Sequence, residues 1–183
     1  MEKITVDELL KLSKDDLKGK LIVYPTDTVY GVGCLYNDIE GIEKIYQMKK
    51  RDYGKPIAVL CANINQVKEI CDFPEYASKY ADHWPGALTI ILNNKDKSKT
   101  VGVRIPDSNV SYRLLKHFGP MSTTSVNYSG EKEIASLSEI SEKFAPFIDY
   151  LVIDYEVFSN QPSTVISCLD NEVKIIRNGG IKV

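Results

Sequence analysis

Apolar residues fall in short continuous runs that alternate with stretches where they recur three or four positions apart, which predicts strands interleaved with single helices. Thr5-Val6-Asp7-Glu8 fits a capping box ahead of Leu9, Leu10 and Leu12, predicting a helix to about Asp16. Leu21-Ile22-Val23-Tyr24, stopped by Pro25, reads as a buried strand. Asn37 or Asp38 then caps an amphipathic helix through Ile42, Ile45, Tyr46 and Met48, ending in Lys49-Lys50-Arg51. Ile57 to Ala62 is a second strand, Asn65 to Cys71 and Pro74 to Trp84 are two helices, and Trp84-Pro85-Gly86 breaks the latter before the strand Ala87 to Leu92. Asn93 to Lys99 is a polar turn.

Further strands are predicted over Val101 to Pro106, Met121 to Val126 and Tyr150 to Ile153, and helices over Val110 to Phe118 and, from a second capping box at Ser136-Leu137-Ser138-Glu139, to Phe144. Ser163 to Cys168 and Val173 to Ile176 flank Asp170-Asn171 as a hairpin. The expected architecture is a mixed α/β (α+β) domain over residues 1–183, a twisted mixed sheet flanked by helices, without a regular βαβ repeat.

Composition changes this picture little: 183 residues, 43% hydrophobic and 26% charged, suit one soluble domain. A net charge of −2 and a pI near 5.8 exclude a generally basic nucleic-acid binder, so any polyanion site must be local. No run approaches the roughly 20 apolar residues of a membrane span, and Met1-Glu2-Lys3-Ile4-Thr5 opens no apolar signal region, which places the chain in the cytoplasm as an expectation. Cys34, Cys61, Cys71 and Cys168 form no Cys-x-x-Cys pair and read as buried thiols; with only His83 and His117 present, no zinc site is expected.

Candidate chemistry concentrates in two places. Lys49-Lys50-Arg51 sets three cations at a helix end, and Thr123-Thr124-Ser125-Val126-Asn127 offers hydroxyl and amide groups after a strand. Arg104 lies in an apolar strand, where an unpaired charge is costly; the alternative is a solvent-facing side chain. Thr26-Asp27-Thr28 is followed by Gly31 and Gly33, which permit close approach of a ligand or of a neighbouring strand. There is no Walker phosphate loop, Gly-x-Gly-x-x-Gly fingerprint or Gly-x-Ser-x-Gly elbow. A nucleotide would therefore be held by scattered cations, with Lys49, Arg51, Arg104 and Arg177 as candidates.

Tyr24-Pro25-Thr26-Asp27-Thr28-Val29-Tyr30-Gly31-Val32-Gly33 resembles the opening signature of the YrdC/TsaC family. So, in the family's order, do Lys49-x-Arg51, Lys55-Pro56-Ile57, Trp84-Pro85-Gly86, Val103-Arg104, Thr124 to Gly130, Pro162 to Val165 and Ile176-Arg177. The resemblance implies an L-threonylcarbamoyladenylate synthase, short of the additional carboxy-terminal domain of longer members. It would make threonylcarbamoyl-AMP and pyrophosphate from L-threonine, bicarbonate or CO2 and ATP with Mg2+. The product would pass to the tRNA threonylcarbamoyl transferase machinery, and weak tRNA binding would accompany it. It implies Lys49 and Arg51 as catalytic phosphate clamps; Lys55, Thr100, Ser125, Asn127 and Arg177 as further ATP contacts; and Thr28, Arg104, Thr123 and Ser163 or Thr164 as threonine contacts, around a concave pocket.

The chain departs from the family pattern at Asp52, Leu60, Ala87, Val126 and Glu133, where that pattern has proline, histidine, proline, alanine and a nucleotide-contacting serine. Two alternatives stand beside this reading: a carbamoyl-AMP-forming domain of the hydrogenase-maturation type, and a double-stranded RNA-binding module, which the acidic pI disfavours.

Overall fold

The computed structural model describes residues 1–183. Ten strands run β1 (Glu2–Ile4), β2 (Ile22–Pro25), β3 (Tyr30–Leu35), β4 (Ala58–Leu60), β5 (Leu88–Asn93), β6 (Thr100–Arg104), β7 (Met121–Ser125), β8 (Tyr150–Val152), β9 (Thr164–Leu169) and β10 (Glu172–Arg177). Six helices intervene: α1 (Val6–Leu9), α2 (Ile39–Lys49), α3 (Ile64–Ile70), α4 (Ser78–Ala81), α5 (Asn109–Phe118) and α6 (Leu137–Phe144). All strands join one mixed sheet in the order β1-β8-β2-β3-β7-β4-β6-β5-β9-β10. The mixed α/β architecture is the expected one.

Three apolar clusters hold the helices to the sheet. Leu114, Leu115 and Phe118 of α5 pack with Val6 and Leu9 of α1 against Ile22, Tyr24 and Met121. Ile45 and Met48 of α2 and Ile140 and Phe144 of α6 pack against Val23, Val32 and Leu151. Val67 and Ile70 of α3 cover Val59, Ile90, Val103 and Ile166. All four cysteines are buried and unpaired, and burial raises every one of their pKa values, Cys34 to about 12 and Cys71 to about 11. No helix is long and apolar enough to cross a membrane.

Local chemistry explains where elements differ from expectation. The capping box at Thr5 is present, yet α1 ends at Leu9 rather than near Asp16. Ser13 and Asp16 form a second reciprocal cap, each side chain taking the other's backbone N–H (2.8 and 3.3 Å), and start a separate 3-10 turn over Asp15–Leu17. The predicted helix Pro74 to Trp84 is two short pieces, a 3-10 turn over Glu75–Ala77 and then α4. At α6 only half the capping box forms: Ser136 accepts from the Glu139 backbone, while the Glu139 side chain pairs instead with Lys143 at 2.8 Å. Asp170 and Asn171 both take positive φ (54° and 57°), which suits the two-residue turn of the β9–β10 hairpin.

The glycines of β3 serve a neighbouring strand. A Cβ at Gly33 would lie 2.7 Å from Thr123 Oγ1 and 3.1 Å from the Ser122 carbonyl, and one at Gly31 would lie 2.8 Å from Thr123 Cγ2. Gly33→Ala should therefore destabilise the fold by about 1–3 kcal/mol through overpacking. A urea midpoint equal to wild type would mean that β3 and β7 have room to part.

Candidate active site

Strand side chains alternate between faces, and the register of this sheet collects one set of alternates from seven adjacent strands onto a single surface. Across β3, β7, β4, β6, β5, β9 and β10 the pairs Gly31–Ser125, Ala58–Thr123, Leu60–Arg104, Ile91–Gly102, Thr89–Val165 and Arg177–Val165 stand side by side. These residues line a cavity of about 290 Å³. Gly31, Ala58 and Gly102 contribute almost no side chain there, which leaves the surface hollow, while the opposite alternates Val32, Val59, Val103, Ile90 and Ile166 fill the cores.

The β2–β3 hairpin supplies one wall. Thr26 closes its tip, its hydroxyl donating to the Val29 carbonyl (2.7 Å) and accepting from the Thr28 and Val29 backbones. Thr28 and Asp27 are thereby presented to Arg104 of β6. Three strand steps separate β3 from β6, roughly 14 Å in a flat sheet, so the contact depends on the coiling of this one. Arg104 is 6% exposed and its guanidinium is held on three sides: Nε donates to the Gly86 carbonyl (2.9 Å), Nη1 to Thr28 Oγ1 (3.0 Å) and Nη2 to Asp27 Oδ1. The solvent-facing alternative for Arg104 is thus excluded. Burial raises the Asp27 carboxyl, against the opposing pull of Arg104.

The C-terminus of α2 supplies the cationic wall. Lys50 takes the left-handed conformation (φ 48°, ψ 44°) that ends the helix and turns the chain inward. Arg51 lines the cavity, with Nε donating to the Lys55 carbonyl (3.1 Å) and Nη2 to the Pro56 carbonyl (3.0 Å). Lys49 lies behind that wall, 1% exposed, its ammonium donating to the Ser125 carbonyl, the Asn127 carbonyl (3.0 Å) and Asn127 Oδ1 (2.8 Å). Burial pulls its pKa down to about 7, Arg51 adds to that, and Glu133 opposes it. Asn127 is fully used in the same network, accepting also from Ser125 Oγ (2.7 Å) and donating to the Tyr128 and Glu131 carbonyls.

A third wall comes from the β9–β10 hairpin. Ser163 faces the cavity, bonded to Thr89 Oγ1 (2.8 Å), while Arg177 donates to its carbonyl through Nε (3.0 Å) and Nη2 (2.8 Å). Thr164 points away: its hydroxyl donates to the Ile181 carbonyl (2.6 Å) and accepts from the Gly179 backbone (3.0 Å). Of Ser163 and Thr164, Ser163 is therefore the one at the cavity.

Eight of the residues singled out from sequence line this space: Thr28, Arg51, Thr100, Arg104, Thr123, Ser125, Ser163 and Arg177. Lys49, Lys55, Asn127 and Thr164 do not line it. Lys55 contributes its carbonyl, and its side chain is exposed, because it follows the turn that already spends its backbone on Arg51. Sequence reasoning passed over Asp27 and Thr89 as site residues. The carboxylate beside Thr28 and the lone hydroxyl within the Leu88–Leu92 apolar run were the available signals, since an interrupted apolar strand marks a polar partner. No group of three or more His, Cys, Asp or Glu side chains converges to hold a metal ion.

The family model for Sua5, YciO and YrdC, described as Telomere recombination, matches residues 17–179. A relative in Methanocaldococcus jannaschii, which carries the provisional name threonylcarbamoyl-AMP synthase, is 31% identical over 179 residues, 94% of this chain and 86% of its own length. The threonylcarbamoyl-AMP synthase of Bacillus subtilis is 30% identical over 90% of this chain and 51% of its own. Among solved structures, Pyrococcus abyssi Sua5 complexed with L-threonine superposes with a TM-score of 0.86 and 27% identity, covering 98% of this chain and 56% of that one. Escherichia coli YciO gives 0.83 and 26%, covering 93% and 89%. The chain thus spans about half the length of the Bacillus and Pyrococcus proteins and most of the other two. From its fold, its cavity-lining signature residues and this match over most of its length, the chain belongs to the Sua5/YciO/YrdC family.

Proposed function

We propose that this chain joins L-threonine, bicarbonate or CO2 and ATP into threonylcarbamoyl-AMP, releasing pyrophosphate, for modification of tRNA. The observation that carries the reading is one polar cavity with a tethered guanidinium at Arg104 on one side and cationic groups at Arg51 and Arg177 on others, lined by hydroxyls and a single carboxylate, Glu133, and by no histidine or cysteine. The likeness to a Sua5 bound to L-threonine supports the amino-acid assignment.

In the reaction the threonine nitrogen bonds to the carbon of CO2 and loses a proton, giving a carbamate. A carbamate oxygen then bonds to the α-phosphorus as the bond to pyrophosphate breaks. Negative charge builds on phosphate oxygens, so preorganised cations serve better than a nucleophile. Arg104 and Thr28 would hold the amino acid, Thr123 and Ser163 would border it, and Arg51, Ser125, Thr100 and Arg177 would meet the nucleotide. Lys49 and Asn127 would act from behind, keeping the Ser125 strand end in place.

The donor set admits Mg2+ only as a guest of the nucleotide. Glu133 is the one carboxylate on the cavity lining, and Mg2+ is commonly held by one or two carboxylates together with substrate phosphates. Bound so, the ion would neutralise charge on the leaving pyrophosphate.

Pyrophosphate release from ATP, assayed with and without L-threonine and bicarbonate, tests the proposal. Release requiring both is the expected result. Release driven by carbamoyl phosphate alone would transfer the chain to the carbamoyl-AMP branch, and no release with salt-sensitive RNA binding would make it a binding module.

A further inference from the structure

We infer that Asp27 is a positioning residue for the amino-acid substrate, holding the Arg104 guanidinium in the orientation that receives an α-carboxylate; this rests on the amino-acid assignment proposed above. A guanidinium carries five N–H donors, and here three are committed to the protein, to Gly86, Thr28 and Asp27. Those three partners come from two separate segments, the β2–β3 hairpin tip and the turn before β5, and fix the plane of the group. Two N–H donors remain on a side chain that lines the cavity, enough for one carboxylate.

Asp27 itself does not line the cavity; its side chain bonds to Arg104, which does. Its side chain is 15% exposed and that of Arg104 is 7%. A buried ion pair of this kind stabilises a fold poorly, because the cost of desolvating both charges offsets their attraction, and apolar residues of similar volume serve as well. The charge at Arg104 therefore has its use in the cavity, and Asp27 has its use in keeping that charge oriented. The backbone around Asp27 extends the same function: its carbonyl accepts from the Ser159 amide (2.9 Å) and that of Thr28 from the Asn160 amide (3.0 Å). The hairpin tip is thereby tied to the segment that leads into Ser163, so Asp27 joins the hairpin wall to Arg104 and to the approach of the Ser163 wall.

The alternative is a counter-ion needed only for folding, and the two roles separate in kinetics. Asp27→Ala removes the tether, and Asp27→Asn keeps an oxygen within reach of Nη2. In the pyrophosphate assay, Asp27→Ala should raise KM for L-threonine at least tenfold, with KM for ATP unchanged and kcat within about threefold of wild type. Asp27→Asn should recover part of the loss. Calorimetric titration with L-threonine and with L-threoninamide, which lacks the carboxylate, gives a second readout: wild type should prefer threonine and Asp27→Ala should lose most of that preference. If Asp27→Ala does not fold, Asp27→Asn carries the same two measurements. Unchanged KM for threonine in a folded variant, or equal losses in every parameter, would overturn the inference. A wild-type protein that neither binds threonine nor turns it over would instead overturn the proposed activity, and the inference with it.

Discussion

Arg51→Ala should lower kcat/KM for ATP by on the order of a hundredfold or more, the scale seen when one preorganised charge stabiliser is removed from an active site. The effect is expected to be large because Arg51 is held before any ligand arrives. The left-handed turn at Lys50 sets its backbone, the Arg51 amide bonds to the Tyr46 carbonyl (3.0 Å), and two carbonyls of the following turn grip the guanidinium. Little reorganisation is then left for the moment of adenylyl transfer. Lys55→Ala is the matched comparison: that side chain is exposed and only its carbonyl is used, so turnover within about threefold of wild type is expected, as for most surface substitutions. Near-normal turnover of Arg51→Ala in a pyrophosphate assay would remove the phosphate clamp from the mechanism.

Lys49→Met should cost both stability and activity, for a different reason. Methionine fills similar space but strands the Ser125 and Asn127 carbonyls, which lose the ammonium as donor, and leaves Asn127 Oδ1 with the Ser125 hydroxyl alone. Buried groups so abandoned cost about 1–3 kcal/mol each when nothing replaces the bond, and local relaxation will recover part of that. Loss of the strand end that carries Ser125 should then lower turnover sharply. The pH dependence gives a sharper test. With a folded pKa of about 7 against 10.5 when free in water, Lys49 binds its proton more weakly in the folded chain than in the unfolded one. Its contribution to stability therefore rises with pH between about 7 and 10.5, and is least favourable below 7, where both states are protonated. Polyphosphate bound beside Arg51 raises the Lys49 pKa again, so ATP binding at pH 8 should take up a proton. Calorimetry in two buffers of different ionisation enthalpy measures that uptake, which Lys49→Met should abolish.

Most elements of this fold were legible because each left a local signature. Asp38, Ser136 and the Asp170-Asn171 turn are read from side-chain chemistry within a few residues. The helix expected to reach Asp16 failed because Ser13 and Asp16 make a competing cap, a signal present in the chain but outweighed by the run of leucines. The site was legible only in part, since it depends on non-local register. That Arg104 needs a partner follows from its apolar strand; that the partner is Asp27, 77 residues earlier, follows only from the coiled sheet. Lys49 and Arg51 look equivalent in sequence, two residues apart at a helix end. In three dimensions the left-handed turn between them sends one into the protein interior and the other to the cavity. Residue type marked both as cations, but only the backbone turn divides their work.

The strand alternation also separates two kinds of mutational constraint. Over seven strands, one residue faces the cavity and the next the hydrophobic interior, as Ala58 and Val59, Arg104 and Val103, or Ile91 and Ile90 illustrate. Substitutions at the first set alter what the hollow can bind while the packing beneath persists. Those at the second lower the amount of folded protein and leave the chemistry of each surviving molecule alone. Such a sheet can acquire a new substrate by stepwise change along one face without passing through unfolded intermediates, provided that Gly31 and Gly33, where the two demands meet in a single atom's width, stay as they are.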